Sequence, residues 1–302
     1  MEAGGYRSGF ISVVGRTNVG KSTLLNALIG QKMSIVSDKP QTTRNMIRLV
    51  LTEPGWQMVF LDTPGFHRPK TRLSENMVRA AGASMDGVDA ILFVTENDVA
   101  IGKGDRRILA SLEGKGIPVV VAINKMDRAE KSDILKKIAL YADFPFVSDI
   151  VPISALKGDN LGELKKTLLS HMPFGPMFFP EGMLTDRTER FFVSEIVREK
   201  ALSFIRDEIP HGVAVEIMGF RQRKGRDLID VEANIFVRRD THKAIVIGKG
   251  GAQLKKIASA ARRDMEALLA CQVNLSIWVK TKPDWEDSPY ELKELGYDEH
   301  GM

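Results

Sequence analysis

Gly15, Gly20, Lys21 and Ser22 fall at the spacing G-x-x-x-x-G-K-[ST]. In this pattern a glycine-permitted turn aims main-chain N–H groups at phosphate oxygens, the lysine reaches the β- and γ-phosphates, and the hydroxyl ligates Mg²⁺. Such a loop needs a strand before it and a helix after it, so that the positive helix end faces the anion. Both are written into the chain. Phe10-Ile11-Ser12-Val13-Val14 is an apolar run of strand length, and Leu24, Leu25, Ala27, Leu28 and Ile29 recur at helical spacing up to Gly30. Gly15-Arg16-Thr17-Asn18-Val19-Gly20-Lys21-Ser22-Thr23 is therefore the predicted phosphate loop.

Three further segments, each behind an apolar run, point to guanine as the base. Val59-Phe60-Leu61 leads into Asp62-Thr63-Pro64-Gly65, a D-x-x-G element whose carboxylate can reach the Mg²⁺ shell while Gly65 offers its N–H to the γ-phosphate. Val119 to Ile123 leads into Asn124-Lys125-Met126-Asp127, where Asp127 can accept from the guanine ring N–H and amino group. Adenine lacks that donor pair, and losing two charge-assisted hydrogen bonds corresponds to roughly 10²–10⁴ in preference. Ile150 to Ile153 leads into Ser154-Ala155-Leu156, expected to support the base through backbone groups. Between the first two elements, Lys39-Pro40-Gln41-Thr42-Thr43-Arg44 has the character of a loop that orders on the γ-phosphate, with a threonine hydroxyl on Mg²⁺. Thr42 is favoured over Thr43 as that ligand, although the two are not separable by sequence. Lys21, Thr42, Asp62 and Gly65 are the expected catalytic set, and Ser22, Thr42 and Asp62 the expected metal ligands.

Phosphoryl transfer depends on positioning and charge stabilisation. Ras-type enzymes place a glutamine after D-x-x-G to orient the attacking water, whereas this chain has Phe66. Slow intrinsic hydrolysis is expected, with the water held by backbone groups and by a monovalent cation or a partner. The Asn18 amide is a candidate K⁺ ligand, set against a simpler role in capping the loop.

A chain of 302 residues permits about two domains. Pro173, Gly175, Pro176, Pro180 and Gly182 mark residues 173–186 as a linker between a domain at 1–172 and one at 187–282. In the second, Asp186 and Glu189 have capping-box spacing, and Val193, Ile196, Val197, Ala201, Phe204 and Ile205 share a helix face. Strands are predicted at 213–217, 228–237 and 273–279, and a helix carries Leu254, Ile257, Ala258, Ala261 and Met265. Ahead of that helix, Ile247-Gly248-Lys249-Gly250-Gly251 contains the G-x-x-G turn that lets an RNA backbone approach, since glycine has no Cβ. The order helix–strand–strand–helix–helix–strand is that of a KH domain of the prokaryotic type.

Charge is informative only locally. The net formal charge is +4. Between 238 and 282, Arg238, Arg239, Lys243, Lys249, Lys255, Lys256, Arg262, Arg263, Lys280 and Lys282 face only Asp240, Asp264 and Glu266. From 283 onwards Lys293 stands alone against Asp284, Glu286, Asp287, Glu291, Glu294, Asp298 and Glu299. A basic face followed by an acidic tail at 283–302 fits RNA binding with an electrostatic competitor or an inert tail. Trp278 is expected in the core and Trp285 exposed.

These motifs, in this order, resemble the Era family of bacterial GTPases, the Era-like branch of the TrmE–Era–EngA–YihA–Septin-like superfamily. Phe179-Pro180-Glu181, Glu195 to Lys200 and Trp278-Val279-Lys280 extend the resemblance across the chain. It implies an α/β P-loop GTPase domain, a mostly parallel sheet flanked by helices, followed by an α+β type II KH domain. It further implies GTP and GDP binding with Mg²⁺, recognition of the single-stranded 3′ end of 16S rRNA, and assistance to 30S subunit assembly. A cytoplasmic protein with peripheral association at the inner membrane face, acting as a monomer without a DNA partner, completes the implication. Thr17 departs from the family's usual proline.

A single cysteine, Cys271, excludes disulfide frameworks and cysteine metal sites. The histidines His67, His171, His211, His242 and His300 show no ligand spacing and are expected at the surface. No apolar h-region opens the chain and no apolar run approaches eighteen residues, so neither a targeting segment nor a membrane span is expected. Two other classes compete: a signalling GTPase whose KH-like domain binds proteins, and a structural RNA-binding protein with a fossil nucleotide site.

Overall fold

The computed structural model describes residues 5–37, 39, 42–67, 69–98, 100–205 and 212–297. The chain forms two compact units: one of Met1–Ser34, Thr43–Pro69 and Met77–Asp186, the other of Ile35–Thr42, Lys70–Asn76 and Arg187–Met302.

The first unit is built on six strands, β1 Arg7–Val14, β2 Ile47–Glu53, β3 Trp56–Asp62, β4 Ala90–Glu96, β5 Val119–Asn124 and β6 Val147–Pro152. They lie in the order β2-β3-β1-β4-β5-β6, with only β2 antiparallel to its neighbour. Helices α1 Lys21–Ile29, α2 Arg72–Ala83, α3 Lys103–Leu112, α4 Lys131–Ala142 and α5 Leu161–Ser170 alternate with the strands along the chain. Parallel strands covered on both faces read as unbroken apolar runs. Accordingly every residue of β5 is buried, and β4 is buried through Thr95. Strand order reverses on either side of β1, and in such sheets ligands bind beyond the carboxyl ends at that point. The phosphate loop leaves β1 there.

Residues 173–186, expected as a linker, run along this unit. Val50 N–H donates to the Leu184 carbonyl at 2.8 Å, Leu49 and Thr185 form an antiparallel bridge, and the Gln57 side chain accepts from Phe178 and Phe179 N–H at 2.9 and 3.0 Å.

The second unit contains α6 Glu189–Phe204, the strands β7 Ala214–Gln222 and β8 Leu228–Val237, the helices α7 Asp240–Ile247 and α8 Ala252–Leu269, and β9 Gln272–Thr281. β7 and β8 pair antiparallel, β8 and β9 parallel. The core is made by Val193 and Val197 of α6, Val231 and Ile235 of β8, and Ile257 and Met265 of α8. The predicted capping box is corrected: Thr188 is the N-cap and its hydroxyl accepts from Phe191 N–H at 3.3 Å, while Asp186 lies outside the helix and pairs with Arg48 at 2.6 Å. Phe204 is exposed rather than inward-facing.

The two tryptophans are the reverse of expectation. Trp285 is fully buried and donates to the Gly212 carbonyl at 3.2 Å, whereas Trp278 is 49% exposed. The acidic tail is folded over its described part: α9 Pro289–Glu294 follows Trp285, Leu292 and Tyr297 are buried, and Glu286 pairs with Arg238 at 3.3 Å. Asp298 and Glu299 lie outside the described residues. No described helix is long and apolar enough to cross a membrane.

Candidate nucleotide site and nucleic-acid loop

The phosphate loop is shaped by contacts that tolerate no side chain at Gly20. This residue caps α1 with φ of 99°, and a Cβ there would stand 2.3 Å from Asn124 Nδ2. Asn124, 2% exposed at the end of β5, donates from that nitrogen to the Val19 carbonyl at 2.8 Å. The N-K-x-D segment thus holds the predicted phosphate loop. Lys21 is buried and donates to the carbonyls of Gly15 at 3.2 Å and Arg16 at 3.0 Å. Burial pushes its ammonium down to about 8, with the Asp62 carboxylate opposing the fall. Phe66 N–H is taken by the Gly15 carbonyl at 3.2 Å, and Thr63 Oγ1 donates to the Val13 carbonyl at 2.7 Å, so the D-x-x-G segment is laced to the loop.

Ser22, Thr43 and Asp62 bring their oxygens together. Ser22 Oγ lies 3.0 Å from Thr43 Oγ1 and 3.3 Å from Asp62 Oδ2, and Ser34 Oγ donates to the same carboxylate oxygen at 2.8 Å. Two hydroxyls and a carboxylate are the donor set a hard, oxygen-seeking cation such as Mg²⁺ requires. Thr42, favoured on sequence, instead turns its hydroxyl to the Lys39 carbonyl at 2.6 Å. Gln41 of the same loop lies outside the described residues.

At the base end, Ser154 Oγ donates to Asp127 Oδ1 at 2.6 Å, which holds the Asp127 carboxyl below the usual carboxylate range. Asn124 Oδ1 accepts from Ala155 N–H at 3.0 Å and from Lys125 N–H at 2.8 Å. Lys125 ion-pairs with Glu96 and donates to the Asn18 carbonyl at 3.1 Å. Asp127 is thereby fixed as an ionised acceptor. Leu156 is 67% exposed.

In the second unit, Gly248, Gly250 and Gly251 have φ of 72°, 58° and 78°. A Cβ on Gly248 would stand 2.7 Å from Gln253 Cβ, whereas Gly250 and Gly251 face open space. The first glycine packs the turn and the other two leave its backbone approachable. Lys249, Lys255 and Lys256 are exposed in and just after the turn. Arg262 and Arg263 are exposed further along α8, Arg262 about 15 Å from its start at 1.5 Å per residue. Lys280 is exposed, while Lys282 is engaged by Glu291 and lies over the Phe236 ring.

A sequence family described as 50S ribosome-binding GTPase matches residues 10–125, and the KH domain family matches residues 208–286. GTPase Era of Clostridium novyi is 50% identical over 294 residues, 97% of this chain and 100% of that protein. This chain belongs to the Era family of GTPases. GTPase Era of Clostridioides difficile is 46% identical over 97% of this chain and 99% of its own length. A crystal structure of Era in complex with MgGDPNP and nucleotides 1506–1542 of 16S ribosomal RNA matches with a TM-score of 0.93 at 39% identity, covering 97% of this chain and 99% of that one. A point variant of Aquifex aeolicus Era bound to GDP·AlF4⁻ matches with a TM-score of 0.92 at 39% identity, over 96% and 99%.

Several residues that shape this Era-family site escaped the sequence motifs. Asn26 on α1 holds Met33 and Ser34 N–H at 2.8 Å each, which seats Ser34 against Asp62. Glu96 steadies Lys125, and Asp98 and Asp105 both bind Arg16. A carboxylate at the end of β4 was the available signal for Glu96; Asn26 and Asp105 had none. His67, His171 and His242 are half-buried rather than at the surface, and His171 pairs with Asp149 at 2.7 Å. His211 and His300 lie outside the described residues.

Proposed function

We propose that this chain binds GTP and GDP with Mg²⁺, hydrolyses GTP slowly, and grips the single-stranded 3′ end of 16S rRNA through its KH loop, assisting assembly of the small ribosomal subunit. The observation that carries the nucleotide half is the meeting of Ser22, Thr43 and Asp62 oxygens within 3.3 Å beside the phosphate loop. Those residues would hold Mg²⁺, whose chemistry when bound is to neutralise charge on the β- and γ-phosphate oxygens. Thr43 is the proposed loop ligand in this arrangement; Thr42 would have to give up its Lys39 bond. Lys21, held by its two carbonyl partners, turns its remaining N–H to the phosphate oxygens, and Asp127 reads the guanine N–H and amino group. Gly65 N–H is the proposed γ-phosphate donor, with Gly15 to Thr23 wrapping the phosphates and Ser154 to Leu156 backing the base.

Slow turnover follows from Phe66: its ring has no group to orient water, and its N–H already serves Gly15. We propose K⁺ at the loop through Asn18, with equal turnover in KCl and NaCl as the result that removes it. The RNA half rests on the Era relative that binds 16S nucleotides 1506–1542 together with MgGDPNP, and on a KH turn of the same family here. Lys249, Lys255 and Lys256 would take phosphates beside Ile247 to Gly251; Arg262, Arg263, Lys280 and Lys282 would extend the basic track, Lys282 after release from Glu291. Cytoplasmic residence with peripheral contact at the inner membrane face is part of the proposal.

The test is a fluorescence titration with GDP and ADP, followed by a 16S 3′-end oligoribonucleotide with the parent and Gly250→Asp. A preference for GDP of at least about 10² is expected, together with loss of RNA affinity in the variant. Equal GDP and ADP affinity would overturn the nucleotide reading, and unchanged RNA affinity would favour a protein-binding KH module.

A further inference from the structure

Arg16, the second residue of the phosphate loop, is fastened at both ends. Its backbone bridges to Phe66 and its carbonyl accepts from Lys21 Nζ at 3.0 Å. Its guanidinium donates from Nε to Asp105 Oδ1 and from Nη2 to Asp98 Oδ2, each at 2.9 Å. The two acids are not equivalent. The Asp98 side chain is 50% exposed, while Asp105 is fully buried in the first turn of α3. A buried carboxylate persists only when paired and hydrogen-bonded. Here Tyr141 donates to Thr95 Oγ1 at 3.1 Å, Thr95 donates to Asp105 Oδ2 at 3.2 Å, and the N-terminal end of α3 favours negative charge. Gly104 completes the cradle, since a Cβ there would stand 2.7 Å from Arg16 Cδ and 3.1 Å from its Cγ.

We infer that Asp105 is a positioning residue of the nucleotide site: through Arg16 it fixes the carbonyl that holds the Lys21 ammonium in place for the phosphates. This rests on the proposed role of Lys21 as a phosphate ligand. Nothing in the phosphate-loop pattern calls for an acid on α3, yet the residue between Gly15 and the loop crest is held by one.

The full chain is tested by GDP titration and single-turnover GTP hydrolysis, with thermal unfolding recorded without nucleotide. Asp105→Asn keeps the side-chain shape and removes its charge; GDP Kd should rise about tenfold, as expected for a coupled pair. Arg16→Ala should produce the same loss, and the double variant no more than either single one. Gly104→Ala, at an exposed helical position with ordinary backbone angles, should weaken GDP binding while unfolding no earlier than the parent. Lys21→Ala separates the two readings: if it leaves GDP binding intact, the phosphate role of Lys21 falls. If Lys21→Ala abolishes binding while Asp105→Asn and Gly104→Ala bind GDP like the parent, or the Arg16 and Asp105 losses simply add, the positioning role falls alone.

Discussion

Lys21 carries a charge that its own burial disfavours, and that tension sets a pH dependence. Its folded value is about 8 against 10.5 for an unperturbed lysine. In the nucleotide-free state this group binds fewer protons folded than unfolded between those values, so its contribution to stability rises with pH across that window and is flat below it. Nucleotide binding runs the other way. Phosphate oxygens require the ammonium, so GDP affinity should be level below pH 8 and fall about tenfold per pH unit above it. Titrations of parent and Lys21→Ala, taken as a ratio at each pH, cancel the titration of guanine itself; a ratio constant from pH 7 to 10 would show the ammonium is not what the phosphates bind. At this scale motif spacing singles out Asp62 and Asp127, and the fold sets them against Ser22 and Ser154 of two other motifs. Spacing does not separate Thr42 from Thr43, because neighbouring residues point apart and only the loop's path decides which hydroxyl meets Ser22.

At the scale of elements, periodicity was readable where it was followed through. Val273 and Val279 are buried on β9 with Leu275 and Ile277 packed on the same core, so alternation places Trp278 on the opposite face. Its exposure is legible from strand parity, which prevails over the apolar character of the indole. Trp285 was not legible in that way. It lies beyond the last strand in an acidic segment, and its burial is set by partners distant from that strand's pattern: Gly212, to which it donates, and Tyr297, whose ring is 5.8 Å from its own. Trp285→Ala should therefore destabilise the second unit by about 3–5 kcal/mol, the usual cost of emptying a buried aromatic site. Urea unfolding followed by near-ultraviolet circular dichroism measures this, and a loss below about 0.5 kcal/mol, typical of surface changes, would restore the inert-tail reading. Asp105 belongs to the same class of illegible residue: its partner Arg16 is 89 positions away, and no local pattern joins them.

For the whole molecule, the division into units carries a consequence for coupling. Thr43 stands against Ser22 in the first unit, while Thr42, the residue immediately before it, belongs to the second. Likewise Lys70–Asn76, a few residues after Asp62 to Gly65, groups with the KH chain. Adjacent Cα atoms are held 3.8 Å apart by the peptide bond, so Thr43 cannot shift on a γ-phosphate without pulling its neighbour. The expected outcome is a higher affinity for the 16S 3′-end oligoribonucleotide with a non-hydrolysable GTP analogue than with GDP, by at least about fivefold, the lower range of allosteric coupling. Linkage makes the effect reciprocal: the same RNA must raise the ratio of analogue to GDP affinity by the same factor. Repeating both arms with added salt distinguishes a mechanical link from a direct charge effect of the extra phosphate, which would fade while the link would not. Identical RNA affinities in the two nucleotide states would mean that movement at Thr43 is absorbed within Ile35–Thr42 and Lys70–Asn76 before it reaches the KH loop, and the two units would then act independently.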